Sequence, residues 1–216
     1  MGKGIFSDDH IRTLLSSRPE PRPAPPAAMP AGDAAPTTMS FEGCSPESRK
    51  FLAAWQSWRG TQLLPRRQQV DLTSIARLMP QLAVLEVHGP DRATFRLAGT
   101  EIENQYGARL TGRSYIALTD PAKQQKRGEL LWLHVKQPCA VIAHQELEFR
   151  SGRRCVVEIA SAPVLPDSED QPVRVFAVVS RFPRQPLRSD GERDMVVRNF
   201  GRNLRFIDIG AGIPGI

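Results

Sequence analysis

Cysteine is scarce in this 216-residue chain: Cys44, Cys139 and Cys155 are an odd set with no CxxC pair. A disulfide-stapled scaffold is thereby excluded, and free thiols in a reducing compartment are expected, hence a cytoplasmic protein. Long apolar runs are absent; none approaches the ~20 residues that cross a bilayer. The N-terminus, MGKGIFSDDHIRTLLSSR, lacks the apolar stretch and small-residue cleavage site of a secretory signal. Aromatic residues are few, at 6%, and the composition excludes a coiled coil or a collagen-like chain. Catalytic signatures are missing as well. There is no HExxH pair, GxSxG elbow, Walker A loop or GxGxxG fingerprint, and His10, His88, His134 and His144 share no metal-ligand spacing. Cys139 and Cys155 have no acid–base partner close in sequence. Neither an enzyme nor a metal site is expected.

What is present suits one globular domain with appendages: 40% hydrophobic and 24% charged residues. The 19 prolines are unevenly spread, and seven fall in PEPRPAPPAAMPAGDAAP (19–36). Proline removes a backbone donor and fixes φ, so this stretch reads as a semi-extended, disordered tether. Ahead of it, Ile5, Phe6, Ile11, Leu14 and Leu15 have the spacing of one short amphipathic helix, either a docking peptide or a plain extension. The net charge of +6 permits an anionic partner without requiring one. Its excess sits late: after residue 180 the chain carries seven arginines, no lysine and four acids. The expected organisation is a Pro-rich extension (1–44), a domain (45–182) and a basic, apolar tail (183–216).

Ser45-Pro46 is a helix start, with serine as the cap and proline in the first turn. Phe51, Leu52, Trp55 and Trp58 then recur at helical spacing until Gly60. A short helix is expected over 72–79, stopping at Pro80. The texture then changes. Residues 81–88 and 92–98 read as an antiparallel hairpin around Gly89-Pro90-Asp91. Glycines break 99–118 into one- or two-turn helices, and Asp120-Pro121 starts a longer helix reaching Lys136. Three strands close the domain, 140–149, 155–164 and 173–182, the last apolar enough to be central. The turn at 151–153 is expected to set Phe149 opposite Cys155 and Leu147 opposite Val157, with His144, Glu146, Glu148 and Glu158 on the polar face. Arg96 points away from Phe95 and Leu97, and its plain reading is an ion pair with Glu86 on the neighbouring strand. Such an order describes an α+β domain: a five-stranded antiparallel sheet with helices on one face, preceded by an N-terminal helix.

That order coincides with a set of local motifs. They are Trp55-x-x-Trp58-Arg59-Gly60, Leu64-Pro65-Arg66, Asp71, Leu78-Met79-Pro80, Arg96-Leu97-Ala98-Gly99-Thr100, Gly107, Leu110-Thr111-Gly112-Arg113 and Pro163-Val164. Together they resemble a PAS domain, and in particular a bacterial PAS-type family long carried as a domain of unknown function. The resemblance covers roughly residues 45–182; the RLAGT and LTGR segments are its most specific part.

The resemblance implies a stand-alone, non-enzymatic sensory or signalling module. It would sense a small ligand, bind protein partners of a signalling pathway, or both, and homodimers are expected. A pocket beneath the longer helix is implied, with Tyr106, Leu131, Trp132, His134 and Val135 as its candidate lining. Phe51, Leu52, Trp55 and Trp58 would cover the sheet or form a dimer seam. Pro65, Arg66, Arg96, Gly99, Thr100, Gly107, Thr111, Gly112 and Arg113 carry the family motifs. No cofactor is expected, although a small organic ligand suits such a pocket. Haem would rest on His134 alone, which reads equally as a core histidine. Residues 201–206, GRNLRF, resemble the photoactive motif of light-oxygen-voltage domains, but leucine replaces the reactive cysteine and the segment follows the last strand, so flavin is not expected either. The 195–209 run alternates basic and apolar residues. Packing back on the domain or docking a partner ranks ahead of an arm for nucleic acid or a membrane surface.

Overall fold

The computed structural model describes residues 41–180 and 194–215. The amphipathic 5–15 stretch, the Pro-rich tether and residues 181–193 lie outside the described residues. Ser45 opens helix α1 (Pro46–Arg59): its hydroxyl accepts the Ser48 amide at 3.2 Å, and Pro46 occupies the first turn, where no amide is needed. Once helical, Phe51, Leu52, Trp55 and Trp58 share one buried stripe. A 3-10 stretch, Leu72–Gln81, follows, with the Asp71 carboxylate capping the Thr73 amide at 2.9 Å. It runs through Pro80 instead of stopping before it. Non-helical backbone at Ile75 splits it into two short turns, so the proline interrupts no long hydrogen-bond ladder.

The hairpin is β1 (Leu82–Val87) and β2 (Ala93–Ala98); α2 (Thr100–Tyr106), a 3-10 turn (Ile116–Leu118) and α3 (Pro121–Lys136) follow. Strands β3 (Cys139–Phe149), β4 (Arg154–Val164), β5 (Val173–Ser180) and β6 (Val196–Asp208) complete one antiparallel sheet in the order β2-β1-β5-β4-β3-β6. The apolar β5 is interior, as its composition required.

Two details differ from the sequence-based expectation. The sheet has six strands, not five, because β6 pairs with β3 along its length. As an edge strand with a register shift opposite His144/Gln145, β6 buries few of its side chains, so its alternation is weak. The β3–β4 hairpin is also two residues tighter, with Leu147 opposite Cys155 and Gln145 opposite Val157. The Phe149 amide already donates to the Arg153 carbonyl at 2.8 Å, leaving only Arg150-Ser151-Gly152 in the loop. A two-residue slip preserves parity, so His144, Glu146, Glu148 and Glu158 still share a face.

The helices that follow β2 lie on one face of the sheet, and the preceding helix α1 covers the other. Against the first face, Phe51, Trp55 and Trp58 of α1 join Leu82, Val84, Ile142 and Phe176 in one apolar cluster. Phe51 and Phe176 each meet Trp58 edge to face, with ring centroids 6.4 and 6.3 Å apart. Leu82 and Val84 of β1 with Phe176 and Val178 of β5 make that part of the face apolar, and it needs a cover. Hydrogen bonds pin α1 along its length. The Ser45 amide donates to Glu158 Oε1 at 2.8 Å, Trp55 Nε1 to the Pro163 carbonyl at 2.9 Å, and Arg59 Nη1 to the Ile209 carbonyl at 2.6 Å. The second face carries α2, the 116–118 turn and α3 over Leu85, Val87, Phe95, Val173 and Val175.

Candidate functional site

On the second face a group of polar side chains gathers from several elements. Inward-facing positions of β3 have the parity of Leu147 and Phe149, and Gln145 shares it. A carboxamide is thus carried under the helices, only 8% exposed. Across from β3, β6 presents Asn199, equally buried, opposite Leu147. Asn199 Nδ2 donates to Gln145 Oε1 at 2.8 Å and to the Tyr106 hydroxyl at 3.2 Å. Arg127 of α3 closes the group: its Nη2 donates to Asn199 Oδ1 at 3.3 Å and its Nη1 to the Tyr115 hydroxyl at 3.2 Å. The guanidinium also lies 5.4 Å from the centre of the Tyr115 ring. Burial raises the Tyr106 phenol above its ordinary pKa, the largest of the effects upon it, so it stays protonated. Five side chains from α2, α3, β3, β6 and the segment before Ile116 converge here, and only Tyr106 had been expected.

The other expected lining residues surround that group unevenly. Val135 belongs to the apolar cluster of this face, and Tyr106, Leu131 and Trp132 pack against it. His134 is 3% exposed. Burial lowers its pKa to about 4, against a hydrogen bond with the Cys139 main chain that works in the other direction. Its Nε2 is buried without a hydrogen-bond partner among the described residues. No group of three or more His, Cys, Asp or Glu side chains among the described residues is placed to hold a metal ion. Burial pushes the Cys139 thiol up to about 12, which keeps it protonated.

The motif residues are distributed through the fold and are not gathered at this site. Phe51, Leu52 and Trp55 are fully buried under the first face, and Trp58 nearly so. The Pro65 carbonyl accepts the Leu165 amide at 2.9 Å, and Arg66 Nη1 reaches the Pro166 carbonyl at 3.5 Å. Arg96 is exposed, with Nε 3.8 Å from Glu86 Oε1, the ion pair read from the sequence. Gly99 packs so closely on the Pro80 carbonyl that a side-chain carbon would overlap it, which joins the 78–80 and 96–100 motifs; Thr100 begins α2. Gly107 ends α2 in the left-handed region at φ 65°, and Met195 fills the space a side chain would need. The 110–113 motif lies along the outer edge of β2: the Gly112 amide donates to the Phe95 carbonyl at 2.7 Å, and the Phe95 amide to the Arg113 carbonyl at 2.9 Å. Thr111, at its tip, is exposed.

In the 195–209 run, Arg202 pairs with Glu146, and Arg198 Nη1 lies 3.8 Å from Glu148 Oε2. Arg205 Nη2 reaches Cys44 Sγ at 3.2 Å. Among the described residues no helix is long and apolar enough to cross a membrane. A family model for the PAS domain matches residues 44–179. No curated protein matches the chain.

Proposed function

Since the chain belongs to the PAS domain family, a sensory or signalling module in general, we propose that it acts without catalysis, by sensing a small organic ligand on the helical face and relaying its state to protein partners. One observation carries this reading: the half-buried Tyr106–Asn199–Gln145–Arg127 group joins the helices to β6, a strand outside the matched region. A ligand that disturbs this group acts directly on the anchoring of β6. The outer edge of β6 has no strand partner among the described residues, and an open edge is suited to adding a strand from another chain, a second copy included. Haem and flavin have no part in this reading.

Native mass spectrometry of the freshly purified, tag-free protein, with an absorbance spectrum of the same sample, tests it. A bound small-molecule mass on a colourless protein is expected, at monomer or dimer mass. A visible cofactor band would overturn the reading in favour of a redox sensor. A bare mass that persists after incubation with a metabolite extract would remove ligand sensing and leave protein interaction alone.

A further inference from the structure

We propose that Arg127, Tyr106 and Tyr115 bind the carboxylate of a small organic acid, in the place that the Asn199 carboxamide now fills. The inference rests on the ligand-sensing reading above and names the class of ligand. It follows from a count of donors and acceptors. The Asn199 carboxamide gives both hydrogens of Nδ2 away, to Gln145 Oε1 and the Tyr106 oxygen, and spends Oδ1 on Arg127. The Tyr115 oxygen accepts from Arg127. Both phenol oxygens therefore serve as acceptors, and neither phenolic hydrogen has an acceptor among the described residues. The guanidinium is in the same condition: its partners are two neutral oxygens and the face of the Tyr115 ring, and no carboxylate of the described residues lies within 4.0 Å. Its bonds, at 3.3 and 3.2 Å, are long for donation from a cation, which reaches about 2.8 Å on a carboxylate. The unused capacity of the site is thus one positive charge and two O–H donors, with no negative charge among the described residues to meet them.

A carboxylate is the group that fits this remainder. It takes the guanidinium side-on through two oxygens and offers further lone pairs to the two phenols. One cation balances a monoanion; an inorganic phosphate near neutral pH carries more charge than a single arginine offsets. The body of the acid is apolar or aromatic, because Tyr106 packs against both the Val135 cluster and the Leu147–Phe149–Val157 cluster. Occupancy turns the Asn199 carboxamide out and removes one of the contacts that hold β6 to the helical layer, alongside the Lys123–Phe200 contact.

The full chain is titrated calorimetrically near pH 7 with butyrate, benzoate and succinate, with the matched neutral amides, and with inorganic phosphate. The side-chain amide resonances of Asn199 are followed by NMR. At least one carboxylate is expected to bind tenfold or more tightly than its amide and to shift those resonances. Arg127→Gln should abolish that preference. Asn199→Asp places a carboxylate on Arg127 within the chain; it should weaken binding at least tenfold without lowering the thermal midpoint, which keeps the test independent of any folding defect in Arg127→Gln. Acid and amide binding equally, or phosphate binding more tightly, would overturn the carboxylate assignment and leave ligand sensing intact. No binding by any of these probes would also overturn it, while a small-molecule mass in the native spectrum would still support ligand sensing by another class.

Discussion

The two faces of the sheet are covered in different ways. On the first, one helix lays Phe51, Trp55 and Trp58 onto apolar strand positions that include Phe176, and polar contacts sit at its two ends, where Ser45 meets the buried Glu158 and the buried Arg59 meets the Ile209 carbonyl. On the second, the cover is assembled from short pieces, α2, the 116–118 turn and α3, and it encloses two carboxamides, two phenols and a guanidinium. A single amphipathic helix can satisfy every apolar position of a face at once. A cover built from short pieces leaves side chains of several elements pointing at one another, and there hydrogen bonds must complete the interior. The first face accordingly supplies stability, and the second carries the polar group on which the proposed ligand sensing rests.

That contrast can be broken most forcefully at Trp55. Trp55→Ala removes a fully buried ring and strands the Pro163 carbonyl, and it should cost about 4 kcal/mol, read as a fall in the denaturant midpoint. The second face should respond to pH. His134 titrates near 6.5 when unfolded and at about 4 when folded, so the unfolded state binds the proton first. Stability should be full above pH 6.5 and fall by about 3 kcal/mol as the pH drops to 4, and His134→Gln should flatten that part of the profile. Gly128→Ala probes the contact between α3 and the β1–β2 turn, where a side-chain carbon would overlap the Pro90 carbonyl oxygen. A loss of roughly 2 kcal/mol is expected, from the same denaturation measurement. The smallest effect belongs outside both clusters: Arg96→Ala removes the exposed partner of Glu86, whose carboxylate keeps Arg174 at 3.5 Å, and should change stability by less than about 0.5 kcal/mol.

Much of the frame was legible before any coordinates. Ser45-Pro46, Asp120-Pro121 and the spacing of Phe51, Leu52, Trp55 and Trp58 place α1 and α3, because caps and helical periodicity are local properties. The Arg96–Glu86 pair follows from strand parity. The site was less legible. Gln145 offered one signal, a polar residue with the parity of Leu147 and Phe149, and Arg127 another, one helical turn before Leu131 on α3. Asn199 gave none, since its burial depends on β6 pairing with β3, a partnership more than fifty residues apart in sequence.

Sequence alone determined the element order as far as β5, the limits of α1 and α3, the α+β class and the stripe that covers the first face, since each depends on neighbours within a few residues. Only tertiary structure decided that the C-terminal run is a sixth strand, that the β3–β4 loop closes two residues early, and that Arg127, Tyr106, Tyr115, Gln145 and Asn199 meet. The physical reason is common to all three. A strand edge, a hairpin register and a buried hydrogen bond each need a partner, and the identity of that partner is settled by which distant segments can pack together while leaving no buried polar group unmet.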